Sequence, residues 1–224
     1  MSQNPSVVSR PVESILATNK VIRNTYMLLS MTLIFSAAMA GVSMVVQAPF
    51  VVAFAGNIVA LLLLWFVLPR YRNSAAALPL TFIFTGLLGF GLGPMLNHYV
   101  AALSNGVELI MTATAGTGAI FLGLSGYVMT SRKDFSFLGG YVFVGIIVAI
   151  LASIGAMIFN IPSLSLAVSA MMILLMSAAI LFDTSRIIQG GETNYVMATI
   201  SLYLDILILF QHLLHLLAVF AGDD

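Results

Sequence analysis

The chain has 224 residues, 61% of them hydrophobic and only 7% charged, with eight cations, eight anions and no cysteine. Soluble domains carry about 25% charged residues, so this composition excludes a water-soluble globule and predicts a membrane protein, with lipid as its first partner. Balanced charge leaves no basic excess for nucleic acid, and the lack of cysteine removes disulfides, thiolate nucleophiles and sulfur-ligated metals.

A hydrocarbon core of about 30 Å needs about 20 apolar residues per helix at 1.5 Å rise. Seven runs of that kind occupy residues 26–46, 50–68, 75–96, 107–129, 137–159, 164–182 and 195–217, which predicts an all-α bundle of seven transmembrane helices. Residues 1–25 read as a polar segment, mobile or lying on the membrane surface, residues 26–219 as the membrane domain and residues 220–224 as a short acidic tail. Short connections make successive helices antiparallel neighbours.

In the first span, Ala37 and Gly41 are spaced for close helix approach. Basic residues ahead of it and Ala38-Met39-Ala40 mimic a cleaved signal, but the polar lead is long and the apolar run continues to Val46, beyond a signal core of about 7 to 15 residues. Arg70 and Arg72 follow the second span. The third carries Gly89 and Gly93 at packing spacing, with Pro79 near its start and Pro94 near its end. The fourth begins at Glu108, a helix-start acid favoured by the helix dipole and placed to guard a mouth, and contains the TATAGTG run at 112–118 and a Gly123–Gly126 pair.

Within that pair, Gly123-Leu124-Ser125-Gly126 looks like the GxSG of rhomboid intramembrane proteases, whose Ser is paired with a His on another helix. Topology opposes the pairing, because Ser125 falls towards one face and His212 and His215 towards the other. No enzyme is expected.

Orientation follows from the cations, which are retained on the cytoplasmic side during insertion. Arg10, Lys20, Arg23, Arg70, Arg72, Arg132, Lys133 and Arg186 all fall on one side, and the opposite loops at 47–49, 97–106 and 160–163 carry none. The N-terminus is therefore expected in the cytoplasm and the C-terminus in the periplasm.

Asp205, ten residues into the last span, lies about 15 Å deep. An ionised side chain there costs at least about 2.5 to 3.5 kcal/mol, which calls for a partner or a wet cavity. The alternative is a protonated acid bonded to the helix backbone or to Ser201, one turn earlier. Asp183, in LFDTSR at the end of the sixth span, is the nearest candidate partner. Two close carboxylates cannot both ionise cheaply, so one proton is held between them and the pair becomes a pH switch. As oxygen donors they also suit a hard cation such as Ca²⁺. Straight helices would leave a vertical gap of about 10 Å, which tilt or an asymmetric turn has to close.

Arg186 shares a helix face with Asp183 and reads as a salt-bridge partner or an interfacial cation; Arg70 and Arg72 are candidate latches or snorkelling cations. His212, on the face of Asp205, and His215 suit a proton relay or a simple interfacial position. They lack the ligand spacing of a transition-metal site.

RNTYMLLSMTL at 23–33, TSRKDFSFLGG at 130–140, ILFDTSRIIQGGETNY at 180–195 and SLYLD at 201–205 resemble the Bax-inhibitor family, also called the transmembrane Bax-inhibitor-motif family, over Lys20 to the end. These stretches look like its bacterial branch, typified by a modulator of the membrane ATP-dependent protease FtsH. The resemblance implies a seven-helix fold with the last helix inside the bundle, and a pH-sensitive Ca²⁺ leak governed by an Asp pair at the positions of Asp183 and Asp205. A shared proton would keep the path closed; losing it, or changing the arginine latch, would open it. Ca²⁺ is the implied permeant or bound ion, no other cofactor is expected, and Ile208 stands where family members usually have Asn.

Overall fold

The computed structural model describes the backbone from residue 9 to residue 221 and the side chains from residue 18 onward, so parts of the predicted polar segment and acidic tail lie outside the described residues. Described residues form helices and short connections, without strands: α1 (Ser9–Val45), α2 (Phe50–Tyr71), α3 (Ala77–Ala102), α4 (Gly106–Ser131), α5 (Leu138–Ile158), α6 (Pro162–Ile188) and α7 (Tyr195–Ala221). All seven contain a stretch long and apolar enough to cross a membrane, which in α1 is Thr18–Val45.

From Ser9 the described chain is helical and continuous with the first span. Pro11 falls in the first turn, where a missing N–H costs nothing, and no Gly or Pro interrupts residues 12–26. Within α2, residues Leu63–Val67 form a π-helical turn in which the Leu68 N–H bonds to the Leu63 carbonyl. Pro69 is the physical reason: it cannot donate, and its ring would press on the carbonyl of Trp65, so the turn widens ahead of it.

Helix order in space does not follow helix order in sequence. The main neighbour of α1 is α3 rather than α2, while α7 packs against α1, α3, α4 and α6 and so lies inside the bundle. α2 is held chiefly by α3 and α5 by α6, and both turn most of their apolar surface outward. Glycine spacing explains the α1–α3 pairing. A Cβ at Gly89 would stand 2.2 Å from the Ser36 carbonyl oxygen, and one at Gly93 would stand 2.1 Å from Ser43 Oγ. The other two small-residue pairs do not pack. Nothing lies within 4 Å of a Cβ at Gly41, Gly123 or Gly126, so those faces look outward.

At the bundle centre, Tyr203 is fully buried; its hydroxyl donates to the Thr85 carbonyl at 3.1 Å and meets Ser36 Oγ at 2.6 Å. Around it pack Phe84, Leu202 and Leu209, all fully buried. α1 forms one wall of this core.

One end of the bundle gathers the connections that follow Arg70, Ser131 and Arg186. Asn194 Nδ2 donates to the Arg72 carbonyl (2.9 Å), Gln189 Nε2 to the Arg132 carbonyl (3.2 Å), and the Phe135 N–H to Ser185 Oγ (2.9 Å). In the α4–α5 loop, the Ser136 hydroxyl and N–H both donate to Asp134 and hold that exposed carboxyl below the usual carboxylate range.

Candidate functional site

The α6–α7 turn positions the site. α6 ends in a Schellman motif: Gly190 takes φ +75°, its N–H bonds to the Ile187 carbonyl (3.3 Å), and the Gly191 N–H bonds to the Arg186 carbonyl (2.8 Å). Only glycine reaches that conformation without strain, which is why the IIQGG sequence stops the helix. Asn194 then starts α7, its Oδ1 accepting from the N–H groups of Val196 and Met197 at 3.0 Å each. The turn folds back around Arg186 rather than running symmetrically, and α6 and α7 pack along their length.

Across that interface Asp183 and Asp205 come close to each other, so the vertical gap estimated for straight helices is narrowed. Asp205 is buried, and its Oδ2 is sealed from solvent with no hydrogen-bond partner among the described residues, Ser201 included. Ser201 is therefore not a hydrogen-bond partner of that oxygen. A proton placed between the two acids would complete a hydrogen bond.

Arg186 sits on the other side of Asp183. Its Nη1 is 3.5 Å from Asp183 Oδ1 and its Nη2 is 3.5 Å from Glu192 Oε2, with the guanidinium 5.4 Å from the Phe182 ring centre. It is therefore no free interfacial cation but a bridge between an acid of the pair and an acid of the turn. Glu192 in turn lines a groove of about 690 Å³ at this end of the bundle, together with Asn19, Arg132 and Gln189.

The other candidate residues lie apart. Among the described residues, Arg70 and Arg72 make no ion pair; the Arg72 backbone carbonyl, not its side chain, joins the network. Glu108 lies in the first turn of α4 beside Ser104 and Met111 and pairs with no described cation. His212 Nδ1 and His215 Nδ1 lie 3.2 and 2.8 Å from one hydroxyl, Ser169 Oγ of α6. A fully buried Leu209 stands between the levels of Asp205 and His212 on α7. Ser125 is buried against Thr184 Oγ1 at 3.3 Å, and Thr184 lies fifteen residues, about 22 Å of helix, from the Ser169 that meets both histidines. A Ser125–His pair is thus excluded for these two rings.

Sequence reasoning missed Glu192, Thr184 and Tyr26. The Tyr26 hydroxyl meets Thr184 Oγ1 at 3.4 Å, so α1, α4 and α6 bring three hydroxyls together at Thr184, the residue after Asp183. Glu192 was legible as an acid six residues from a cation, but loop geometry decides such a contact. The two acids offer up to four oxygens to Ca²⁺, which takes six to eight, so other oxygens such as those of water would have to supply the rest. Among the described residues no group of three or more His, Asp or Glu has the arrangement of a resident metal site.

Seven spans around a central last helix define a polytopic membrane protein. The family profile described as "Inhibitor of apoptosis-promoting Bax1" matches residues 18–222, and the chain belongs to this Bax-inhibitor family. It is 47% identical over 213 residues, 95% of both chains, to a membrane protein of Vibrio cholerae serotype O1. It is 44% identical over 211 residues, 94% of both chains, to the Escherichia coli K12 protein named "Modulator of FtsH protease YccA". The relative in Escherichia coli O6:H1, with the same identity and coverage, is named "Inner membrane protein YccA", and the chain is likewise a multi-pass inner-membrane protein.

Proposed function

We propose that this protein is an inner-membrane regulator containing a proton-governed cation path, and that it modulates the protease FtsH as the name of its Escherichia coli relative states for that protein. The reading has the N-terminus in the cytoplasm and the C-terminus in the periplasm, supported by the gathering of cation-bearing connections at one end. Ca²⁺ is the expected permeant ion, because the pair offers hard oxygen donors only.

One observation carries the ion reading: Asp205 Oδ2, sealed inside α7 without a partner, stands beside Asp183. An isolated anion at that depth costs at least about 2.5 to 3.5 kcal/mol, and a proton held on Asp205 removes that cost while the remaining charge of the pair stays on Asp183 beside Arg186. When the proton leaves, the pair attracts positive charge, and Arg186 and a permeating cation compete for Asp183. That competition is the gate. Protein binding alone gives no reason for a carboxylate inside a span.

Purified protein in liposomes loaded with a Ca²⁺ indicator tests the reading. Flux should change between mildly acidic and neutral pH, and Asp205→Asn should abolish that change, since the amide cannot ionise. Flux equal to protein-free liposomes at every pH would reject the path and leave a purely protein-binding regulator.

A further inference from the structure

We propose that Asn194 is a positioning residue for the Arg186 bridge, through which the exposed α2–α3 loop sets how firmly Arg186 is held against the acid pair. This rests on the acid-pair reading above.

The Asn194 amide is used on both sides. Oδ1 caps α7, while Nδ2 donates to two oxygens of the loop, the Arg72 carbonyl at 2.9 Å and Asn73 Oδ1 at 2.8 Å. Four hydrogen bonds therefore fix the amide plane, and the loop cannot shift without pulling on the residue. The Asn194 backbone N–H donates to Glu192 Oε1 at 2.8 Å, and the other oxygen of that carboxylate holds Arg186, which holds Asp183. A continuous polar chain thus runs from an exposed loop to the buried pair.

Side-chain chemistry separates this role from simple capping. Ser, Thr and Asp cap a helix start about as well as Asn, but none supplies an amide donor. Asp would set a carboxylate against two loop oxygens. Ionisable groups around the pair are Asp183 and Arg186 on α6, Glu192 on the turn and Asp205 on α7, while Tyr26 of α1 meets Thr184, the residue after Asp183. From α4 the Ser125 hydroxyl meets Thr184, and the cations near the α2–α3 loop, Arg70 at the end of α2 and Arg72 in the loop, make no ion pair with these acids among the described residues.

The experiment compares the parent with Asn194→Ser, which keeps the cap and loses the amide donors, and with Asn73→Ala, which leaves Asn194 untouched and removes one acceptor in an exposed loop. Both should keep the parent's thermal stability and move the midpoint of the flux–pH curve in the same direction, by about half a pH unit, the size of one partly exposed ion pair. Midpoints that superimpose on the parent overturn the proposal. A second readout needs no flux. The chain has no cysteine, so Ala75→Cys places a single environment-sensitive fluorophore on the loop. Coupling is reciprocal, so its emission should titrate in the parent background, be flat in Asp205→Asn and be shifted in Asn194→Ser. Emission indifferent to pH overturns the coupling. Absence of flux from a parent whose emission titrates would reject the cation path and leave the coupling standing.

Discussion

Tyr203 places a ring and a hydroxyl where three helices meet, and its two hydrogen bonds tie α7 to α1 and α3 at once. Tyr203→Phe would leave the Thr85 carbonyl and the Ser36 hydroxyl short of a partner. Leaving a buried polar group unsatisfied costs about 1 to 3 kcal/mol, so the thermal unfolding midpoint in detergent should fall; an unchanged midpoint would refute the bridging role. Such a residue is hard to read in advance. In SLYLD it looks like one more member of an apolar run, and its partners are 118 and 167 residues away. Asp205, two positions later, is conspicuous for the opposite reason: lipid makes a lone carboxylate so costly that its presence demands company. The identity of that company, beyond Asp183, was not legible, because Arg186 reaches Glu192 only through the fold of a glycine-ended turn.

At the scale of the helix, spacing motifs state that two backbones can approach without stating which face is turned inward. Three such pairs occur in the chain, and only Gly89 with Gly93 meets a neighbour. Gly89→Ala would drive its methyl into the Ser36 backbone and should cost about 1 to 3 kcal/mol, whereas Gly123→Ala meets open space and should leave stability within about 1 kcal/mol of the parent. Equal effects of the two substitutions in the same unfolding assay would show that the α1–α3 contact is not set by glycine. The π-helical turn of α2 was readable in principle, since Pro69 has to disturb the carbonyl four residues earlier; hydropathy, which sees only a continuous apolar run, hides it.

For the whole molecule, the seven spans were legible because their length is dictated by the bilayer and not by tertiary contacts. Their neighbours were not, since α1 pairs with α3 across an intervening helix. The two proposed activities also separate at this scale. Binding to a protease uses surfaces, so Asp205→Asn should copurify with FtsH as the parent does while losing its pH response, and deletion of residues 1–20 should weaken copurification. Loss of copurification on Asp205→Asn alone would mean that the acid pair and the binding surface are one device. The central place of α7 has a consequence for biogenesis. α7 leaves the ribosome after α1 to α6, yet it is the common partner of α1, α3, α4 and α6. Until it inserts, those four helices enclose an unfilled seam and Asp183 waits without its counterpart. A chain cut short before α7 therefore holds half of an acid pair and an incomplete core, an assembly that cellular quality control can distinguish from the finished protein.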